Sequence, residues 1–163
     1  MSEFILQLDL YRILIMMKQG AIEHFMWEAI YEGRKALPEC LPNPPVGCVL
    51  VEDDNIIARG YTNKPGQHHA EAMALSQLKH QELTNVIAFV TLEPCSFYGR
   101  TPSCAKALVK RGIKEVYVGI IDPHPKNNGA GIMLLRKAGI QVYVGILSEI
   151  IQQDLKPYLV FEY

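Results

Sequence analysis

Three side chains suited to binding a metal, His69, Cys95 and Cys104, stand in the central part of this chain. Zinc in proteins prefers nitrogen and sulfur ligands, and a zinc ion that takes part in chemistry keeps three protein ligands and a fourth position for water. Glu71 lies two residues after the histidine, close enough to act on such a water without binding the metal itself. The spacing therefore predicts a fold that brings the histidine and both cysteines together around Zn²⁺.

The order of these residues indicates a particular chemistry. A His-x-Glu triplet followed by Pro-Cys and a second cysteine is typical of zinc-dependent nucleobase deaminases, in which the glutamate shuttles protons. Eight residues separate Cys95 from Cys104, whereas the deaminases that edit polynucleotides usually have a shorter spacing. We expect the inserted loop, residues 96–103, to lie beside the metal and to shape the substrate pocket.

Longer segments match one family. They read Asn-Pro-Pro-Val-Gly at 43–47, His-Ala-Glu at 69–71, and Thr-Leu-Glu-Pro-Cys-Ser-Phe-Tyr-Gly-Arg-Thr-Pro-Ser-Cys at 91–104. From about residue 22 to about residue 162 the chain resembles the deaminase domain of the bifunctional riboflavin-biosynthesis deaminase/reductase.

This resemblance implies an enzyme that removes the 2-amino group of diaminohydroxyphosphoribosylaminopyrimidine, a nucleotide-like small molecule, and releases it as ammonia. It also implies that His69, Cys95 and Cys104 bind zinc and that Glu71 is the catalytic proton shuttle.

The resemblance also assigns residues to substrate binding. It makes Asn43 a partner of the base or ribose, although an asparagine before proline is equally common in turns. Arg100 and Thr101 match a cation-hydroxyl pair suited to a ribose phosphate.

Two positions depart from the family pattern. Phe97 stands where the family usually has histidine, and His124, in the segment that begins at Asp122, stands where it usually has asparagine. We expect all three side chains to face the site, so a related enzyme with a different nucleobase, nucleotide or pathway intermediate as substrate is the alternative. A non-catalytic zinc-binding subunit is a further alternative, disfavoured because Glu71 is intact and a structural zinc would have four protein ligands.

Other residues near the motif have simpler interpretations. His68 is the nearest competitor as metal ligand, but only His69 is two residues from the glutamate. Glu93 is expected to have a structural or supporting role. The glycine-rich turn at residues 128–131 is weak support for phosphate binding.

Composition narrows the functional class. Sixteen Lys and Arg residues against seventeen Asp and Glu residues give a net charge of −1, which argues against nucleic acid as a partner. Two of the four cysteines, Cys40 and Cys48, lie outside the metal pattern in a predicted loop and a predicted buried strand, which favours a reducing, cytoplasmic location.

The first residues form a separate feature. Residues 1–21 are predicted to be an amphipathic N-terminal extension or an over-long start before Met17, with a docking or membrane-surface helix as the alternative. Acidic and basic residues interrupt the segment, so we expect no membrane span.

Residues 22–163 are predicted to be the deaminase domain. With no dinucleotide-binding fingerprint in the sequence, we expect the reductase to be a separate protein or absent, and no nicotinamide cofactor. The resembled fold commonly forms dimers or tetramers, which implies a homo-oligomer.

Hydrophobic periodicity predicts the fold. Strands are expected at 46–51, 56–61, 86–92, 115–121 and 140–146, and helices at 22–37, from about 69, and at 104–111, 131–138 and 148–158. An opening hairpin followed by alternating strands and helices predicts a three-layer α/β/α domain with a mixed five-stranded sheet, the cytidine-deaminase-like layout of the resembled family.

Overall fold

The fold is built on one mixed sheet of five strands. The structure, a computed structural model, describes residues 2–79 and 83–159, with side chains from residue 5 onward. The strands are β1 (Gly47–Glu52), β2 (Asn55–Tyr61), β3 (Ile87–Leu92), β4 (Glu115–Ile120) and β5 (Gln141–Val144). They lie in the order β2-β1-β3-β4-β5, with β1 antiparallel to both of its neighbours and β3, β4 and β5 parallel.

Helices cover both faces of the sheet. They are α1 (Ser2–Arg34), α2 (Ala70–Ser76), α3 (Cys104–Arg111), α4 (Ala130–Lys137) and α5 (Ser148–Leu155), followed by a short 3₁₀ helix (Lys156–Tyr158). The C-terminal part of α1 packs on β1 and β3 and is joined to α5, whereas α2, α3 and α4 pack side by side on the other face. The predicted three-layer α/β/α fold is confirmed.

Two glycines let the helices approach the sheet closely. A Cβ atom at Gly47 would collide with the carbonyl oxygen of Ala29 in α1. One at Gly60 would collide with the carbonyl oxygen of Ala70, the first residue of α2. Because glycine has no side chain, α1 can pack directly on β1 and α2 directly on β2.

Helix α1 departs most from the prediction. It begins at Ser2 rather than near residue 22. It ends at Arg34 rather than at residue 37, since Pro38 disfavours the helical conformation for the residue before it. The side chains of residues 5–20 are all exposed, and the role of the N-terminal extension stays a prediction. Within the described ranges, no helix is both long enough and apolar enough to span a bilayer.

The C-terminal elements are shorter than predicted. Strand β5 stops at Val144 because Gly145 adopts a positive φ of 100°. The last α-helix ends at Leu155 and tightens into the 3₁₀ turn, which contains Pro157. This turn places Tyr158 and Leu159 at the pocket described below.

Candidate metal centre and pocket

Three separate elements bring the predicted ligands together. His69 is the N-cap residue of α2, Cys95 follows the end of β3, and Cys104 is the first residue of α3. The Nδ1 atom of His69 lies 3.8 Å from the Sγ atom of Cys95 and 3.5 Å from that of Cys104. One ligand atom from each residue lies within 4.8 Å of the other two, so this group is placed to bind a metal ion.

The two thiols share a proton. The hydrogen bond with Cys104 lowers the pKa of Cys95 to about 4, and the same contact, with burial, raises the pKa of Cys104 well above its ordinary value. The backbone N–H of Cys104 also donates to the Sγ atom of Cys95, over 3.3 Å. The pair thus favours one thiolate, and binding a metal through both sulfurs would release the remaining proton. A nitrogen and two sulfurs are the donor set that zinc prefers.

Thr101 contacts the opposite side of the histidine ring. Its Oγ1 atom lies 3.3 Å from the Nε2 atom of His69. With Nδ1 bound to a metal, Nε2 would carry the ring proton and donate it to the threonine hydroxyl, which would fix the ring orientation. Thr101 was predicted to bind the ribose phosphate, and its observed partner is instead His69. Phosphate binding by Thr101 stays a prediction. His68 is exposed and lies outside the cluster.

Glu71 lies beside the cluster in the first turn of α2. Its side chain is buried, and burial raises its pKa to about 7, with a further increase from the neighbouring Cys95 and a decrease from His69. A carboxyl group poised near neutral pH can both accept and donate a proton.

The cluster opens on a cavity of about 310 Å³. His69, Glu71 and Cys95 form one part of its wall. The rest of its lining is Pro42, Asn43, Pro44, Val46, Thr62, Leu92, Glu93, Phe97, Asp122, His124, Tyr158 and Leu159. Four of the six residues predicted to bind substrate thus lie on the wall, whereas Arg100 is exposed outside it and Thr101 contacts the metal ligand.

The two positions that depart from the family pattern contact each other. The rings of Phe97 and His124 lie with their centroids 5.8 Å apart, tilted by 31°. The loop is held by Asp122, whose Oδ1 atom accepts the backbone N–H of His124 over 2.9 Å. The Nδ1 atom of His124 accepts the N–H of Lys126, so Nε2 carries the proton in the neutral ring. The two departures therefore form a single aromatic wall.

Glu93 is structural. Its buried carboxylate accepts backbone N–H groups from Asp122, Gly129, Gly131 and Ile132, at 2.9–3.2 Å. Three of these N–H groups, from Gly129, Gly131 and Ile132, lie at the start of α4. They are the donors that a phosphate at the glycine-rich turn would need. The weak expectation of phosphate binding there is wrong, because the protein's own carboxylate occupies the site.

Sequence reasoning missed three residues. Buried Asn127 accepts the N–H of Ser96 and donates to Pro94 and Asp122, which ties the metal-binding segment to the opposite loop. Tyr158 and Leu159 reach the pocket from the 3₁₀ turn. No motif surrounds Tyr158 or Leu159 in the sequence. For Asn127 there was one signal, because an asparagine beside a glycine-rich turn often forms local side-chain hydrogen bonds.

A three-ligand metal site, with a buried carboxyl group beside an open cavity, is characteristic of hydrolytic metalloenzymes. Residues 20–120 match the cytidine and deoxycytidylate deaminase zinc-binding region, a segment that contains all three ligands and Glu71. The chain belongs to this deaminase family, and the predicted family resemblance and zinc site are confirmed.

The similar proteins include enzymes named for riboflavin synthesis. The chain is 44% identical over 135 residues to the riboflavin biosynthesis protein RibD of Chlamydia pneumoniae, covering 83% of this chain and 36% of that protein. It is 43% identical over 108 residues to the diaminohydroxyphosphoribosylamino-pyrimidine deaminase of Buchnera aphidicola, covering 66% of this chain and 73% of that one.

A solved structure shares the fold. The diaminohydroxyphosphoribosylaminopyrimidine deaminase/5-amino-6-(5-phosphoribosylamino)uracil reductase of Thermotoga maritima aligns with a TM-score of 0.82 at 38% identity, over 87% of this chain and 41% of that chain. The chain thus spans little more than a third of the length of the Chlamydia protein, whose remaining length has no counterpart in the match.

Proposed function

We propose that this chain is a zinc-dependent hydrolytic deaminase of an aminopyrimidine ribonucleotide, with diaminohydroxyphosphoribosylaminopyrimidine as its substrate. The observation that carries the proposal is the opening of the metal cluster and buried Glu71 on one cavity. The name of the Buchnera relative supports this choice of substrate.

The roles of the cluster residues follow from their chemistry. His69, Cys95 and Cys104 would hold zinc, which lowers the pKa of a water molecule and so makes it a nucleophile near neutral pH. Thr101 would keep the Nδ1 atom of His69 directed at the metal by accepting Nε2–H.

Glu71 would move the protons. Its carboxylate takes one proton from the attacking water as the oxygen adds to the amino-bearing ring carbon, and delivers it to the adjacent ring nitrogen. It then takes the second proton from the added hydroxyl group and delivers it to the amine, so that the C–N bond breaks and ammonia leaves as the ring carbonyl forms. A pKa of about 7 suits a group that must carry out both steps near neutral pH.

The cavity suits a single small base. Its volume of about 310 Å³ lies at the lower end of the range of small-molecule sites. Asn43 and Asp122 supply polar groups on its wall, and Arg100 in the exposed loop would meet a ribose phosphate that extends out of the mouth. The net charge of −1 is consistent with a small substrate rather than a nucleic acid.

The aromatic wall of Phe97 and His124 favours one alternative substrate class. A tilted ring pair offers stacking area and a ring N–H where the family pattern usually has other polar groups. It would suit a related aminated base or nucleotide, with the same zinc and glutamate chemistry.

Two further expectations accompany the proposal. The Thermotoga protein is named for both a deaminase and a reductase, so we expect a reductase to act on the deaminated product. All four cysteines lie in the described part of the chain and are free thiols, which supports a reducing cytoplasmic location.

The first experiment measures ammonia release by zinc-loaded protein given the diaminopyrimidine ribotide. Glu71→Gln keeps the side-chain shape but removes the base, and we expect turnover to fall by about a thousandfold with zinc content unchanged. Glu149→Gln, an exposed glutamate in α5, is the matched control and should retain full activity.

Retained turnover in Glu71→Gln would contradict the mechanism. No turnover by wild-type protein that holds one zinc per chain would contradict the substrate, and assays with other aminated bases and nucleotides would then test the alternative.

A further inference from the structure

A second cavity lies beside the one that opens on the metal cluster. It also has a volume of about 310 Å³, and residues from the end of α1, from α5 and from the turn before β1 line it. We call it the α1–α5 cavity and the first one the metal-site cavity. The wall of the α1–α5 cavity is mainly apolar and includes Ile30, Leu37, Pro45, Ile151, Leu155 and Pro157. Arg34 and Asp154 also line it and form an ion pair, with 2.8 Å between Nε and Oδ2.

Two chain segments separate the cavities by presenting successive residues to opposite sides. Pro44 and Val46 line the metal-site cavity, whereas Pro45, between them, lines the α1–α5 cavity. At the end of β3, Leu92 lines the metal-site cavity and Thr91 the α1–α5 cavity. The two cavities therefore lie back to back, with backbone between them.

Tyr158 completes this partition from the 3₁₀ turn. Pro157 lines the α1–α5 cavity but not the metal-site cavity, and Leu159 lines the metal-site cavity but not the α1–α5 cavity. Among the residues that the structure describes, Tyr158 alone lines both. Its side chain is half-buried. A side chain with one cavity on each side acts as a wall between them.

Hydrogen bonds fix the backbone part of the partition. The hydroxyl group of Thr62 accepts the N–H of Val46 over 3.0 Å and donates to the carbonyl oxygen of Pro44 over 2.9 Å. The hydroxyl group of Thr91 accepts the N–H of Gly47 over 3.1 Å. These segments could not yield to a larger ligand without losing buried hydrogen bonds.

The turn that carries Tyr158 is anchored through α5. Ile151 and Leu155 are buried in the core, and the ion pair of Arg34 with Asp154 joins α5 to α1. The backbone at Tyr158 is thus held in place, and only the side chain itself separates the two spaces at this point.

We propose that Tyr158 is a specificity-determining residue, whose ring closes the metal-site cavity toward the α1–α5 cavity and so limits the size of the base that binds. The inference rests on the proposed function in taking the metal-site cavity as the substrate site. Without the ring, the two cavities would join into a space about twice as large. Since the added space is mainly apolar and the charges of Arg34 and Asp154 offset each other, it would accept an apolar substituent.

Calorimetric binding to the full-length, zinc-loaded protein tests this wall without depending on turnover. The ligands are 2-aminopyrimidine and its two derivatives with a butyl group on ring carbon 4 or on ring carbon 5, which direct the chain to different parts of the cavity. For each derivative, the ratio of its affinity to that of 2-aminopyrimidine is compared between proteins. We expect this ratio to rise by about tenfold for at least one derivative in Tyr158→Ala, because the butyl chain leaves water for the α1–α5 cavity.

Filling the α1–α5 cavity should reverse that gain. Leu37 is half-buried and lines this cavity but not the metal-site cavity. Adding Leu37→Trp to Tyr158→Ala should therefore return the ratio to near its wild-type value. A gain that survives the filling would mean that the butyl chain lies elsewhere, and it would overturn the proposal.

Tyr158→Phe is the matched control, because it keeps the ring and removes only a hydroxyl group that no described residue hydrogen-bonds. It should keep the wild-type ratio. Tyr158→Leu leaves part of the wall and disturbs the turn less than alanine, so it should give a smaller gain. Unchanged ratios for both derivatives in the alanine and leucine variants, or an equal gain in the phenylalanine variant, would overturn the proposal.

Ammonia release from the diaminopyrimidine ribotide, zinc content and circular dichroism are measured on the same preparations. Absence of ammonia release from zinc-loaded wild-type protein would contradict the proposed function. Absence of the gain in Tyr158→Ala, with zinc content and circular dichroism unchanged, would contradict only the role of Tyr158.

Discussion

At the scale of single residues, the contact between Thr101 and His69 has the clearest consequence. Thr101→Val keeps the side-chain volume but removes the acceptor for Nε2–H, so the ring of His69 loses its partner on that side. We expect zinc affinity to fall by about tenfold to a hundredfold, the usual effect of losing such a support. Competition with a chromogenic chelator would measure it.

Thr101→Ser is the matched control, because it retains the hydroxyl group. It should stay within a few-fold of wild-type affinity. An unchanged zinc affinity in the valine variant would contradict the role of the hydrogen bond to His69, and equal losses in both variants would show that the packing of the whole side chain supports the site.

The residue scale also shows what a motif can and cannot predict. His69, Cys95 and Cys104 were predictable because zinc chemistry dictates both ligand type and spacing. Thr101 was predicted as a substrate residue, yet its observed contact is the imidazole, since the fold of the 96–103 loop decides which way its hydroxyl points. Asn127 was missed because its partners lie about thirty residues away along the chain.

At the scale of elements, Glu93 joins the end of β3 to the start of α4. Glu93→Gln would replace a carboxylate oxygen with an amide NH₂ group that cannot accept the backbone N–H groups around it. We expect the free energy of unfolding to fall by about 2–4 kcal/mol, since buried donors are left unpaired. Urea denaturation followed by circular dichroism would measure the change.

Glu149→Gln serves as the control for this substitution, because Glu149 is exposed in α5. Its effect should stay within about 0.5 kcal/mol. Equal stability of the two variants would mean that the loop relaxes and finds other partners for its N–H groups.

Strand positions were predictable, whereas helix ends were less so. All five strands appear close to their expected positions because β-branched, apolar runs between turn residues permit few alternatives. The start of α1 was misjudged, since the change from exposed to packed helix near Ile22 alters burial without altering backbone geometry. Strand β5 was overextended because a positive φ at Gly145 is decided by the turn into α5.

At the scale of the whole molecule, the pocket combines segments from nearly the full length of the chain. The turn before β1 supplies Asn43, the end of β3 supplies Cys95 and Phe97, and the 3₁₀ turn supplies Tyr158. The first three were predictable from the family pattern. Tyr158 was not, because only the packing of α5 on the sheet brings the last turn to the cavity mouth.

The close seating of α1 on the sheet has a consequence for the pocket. Because a Cβ atom at Gly47 would collide with the carbonyl oxygen of Ala29, a displacement of α1 is passed to β1 and to the turn before it, which supplies Asn43 to the cavity wall. A substitution that displaces α1 should therefore change the KM of the proposed reaction without altering a metal ligand.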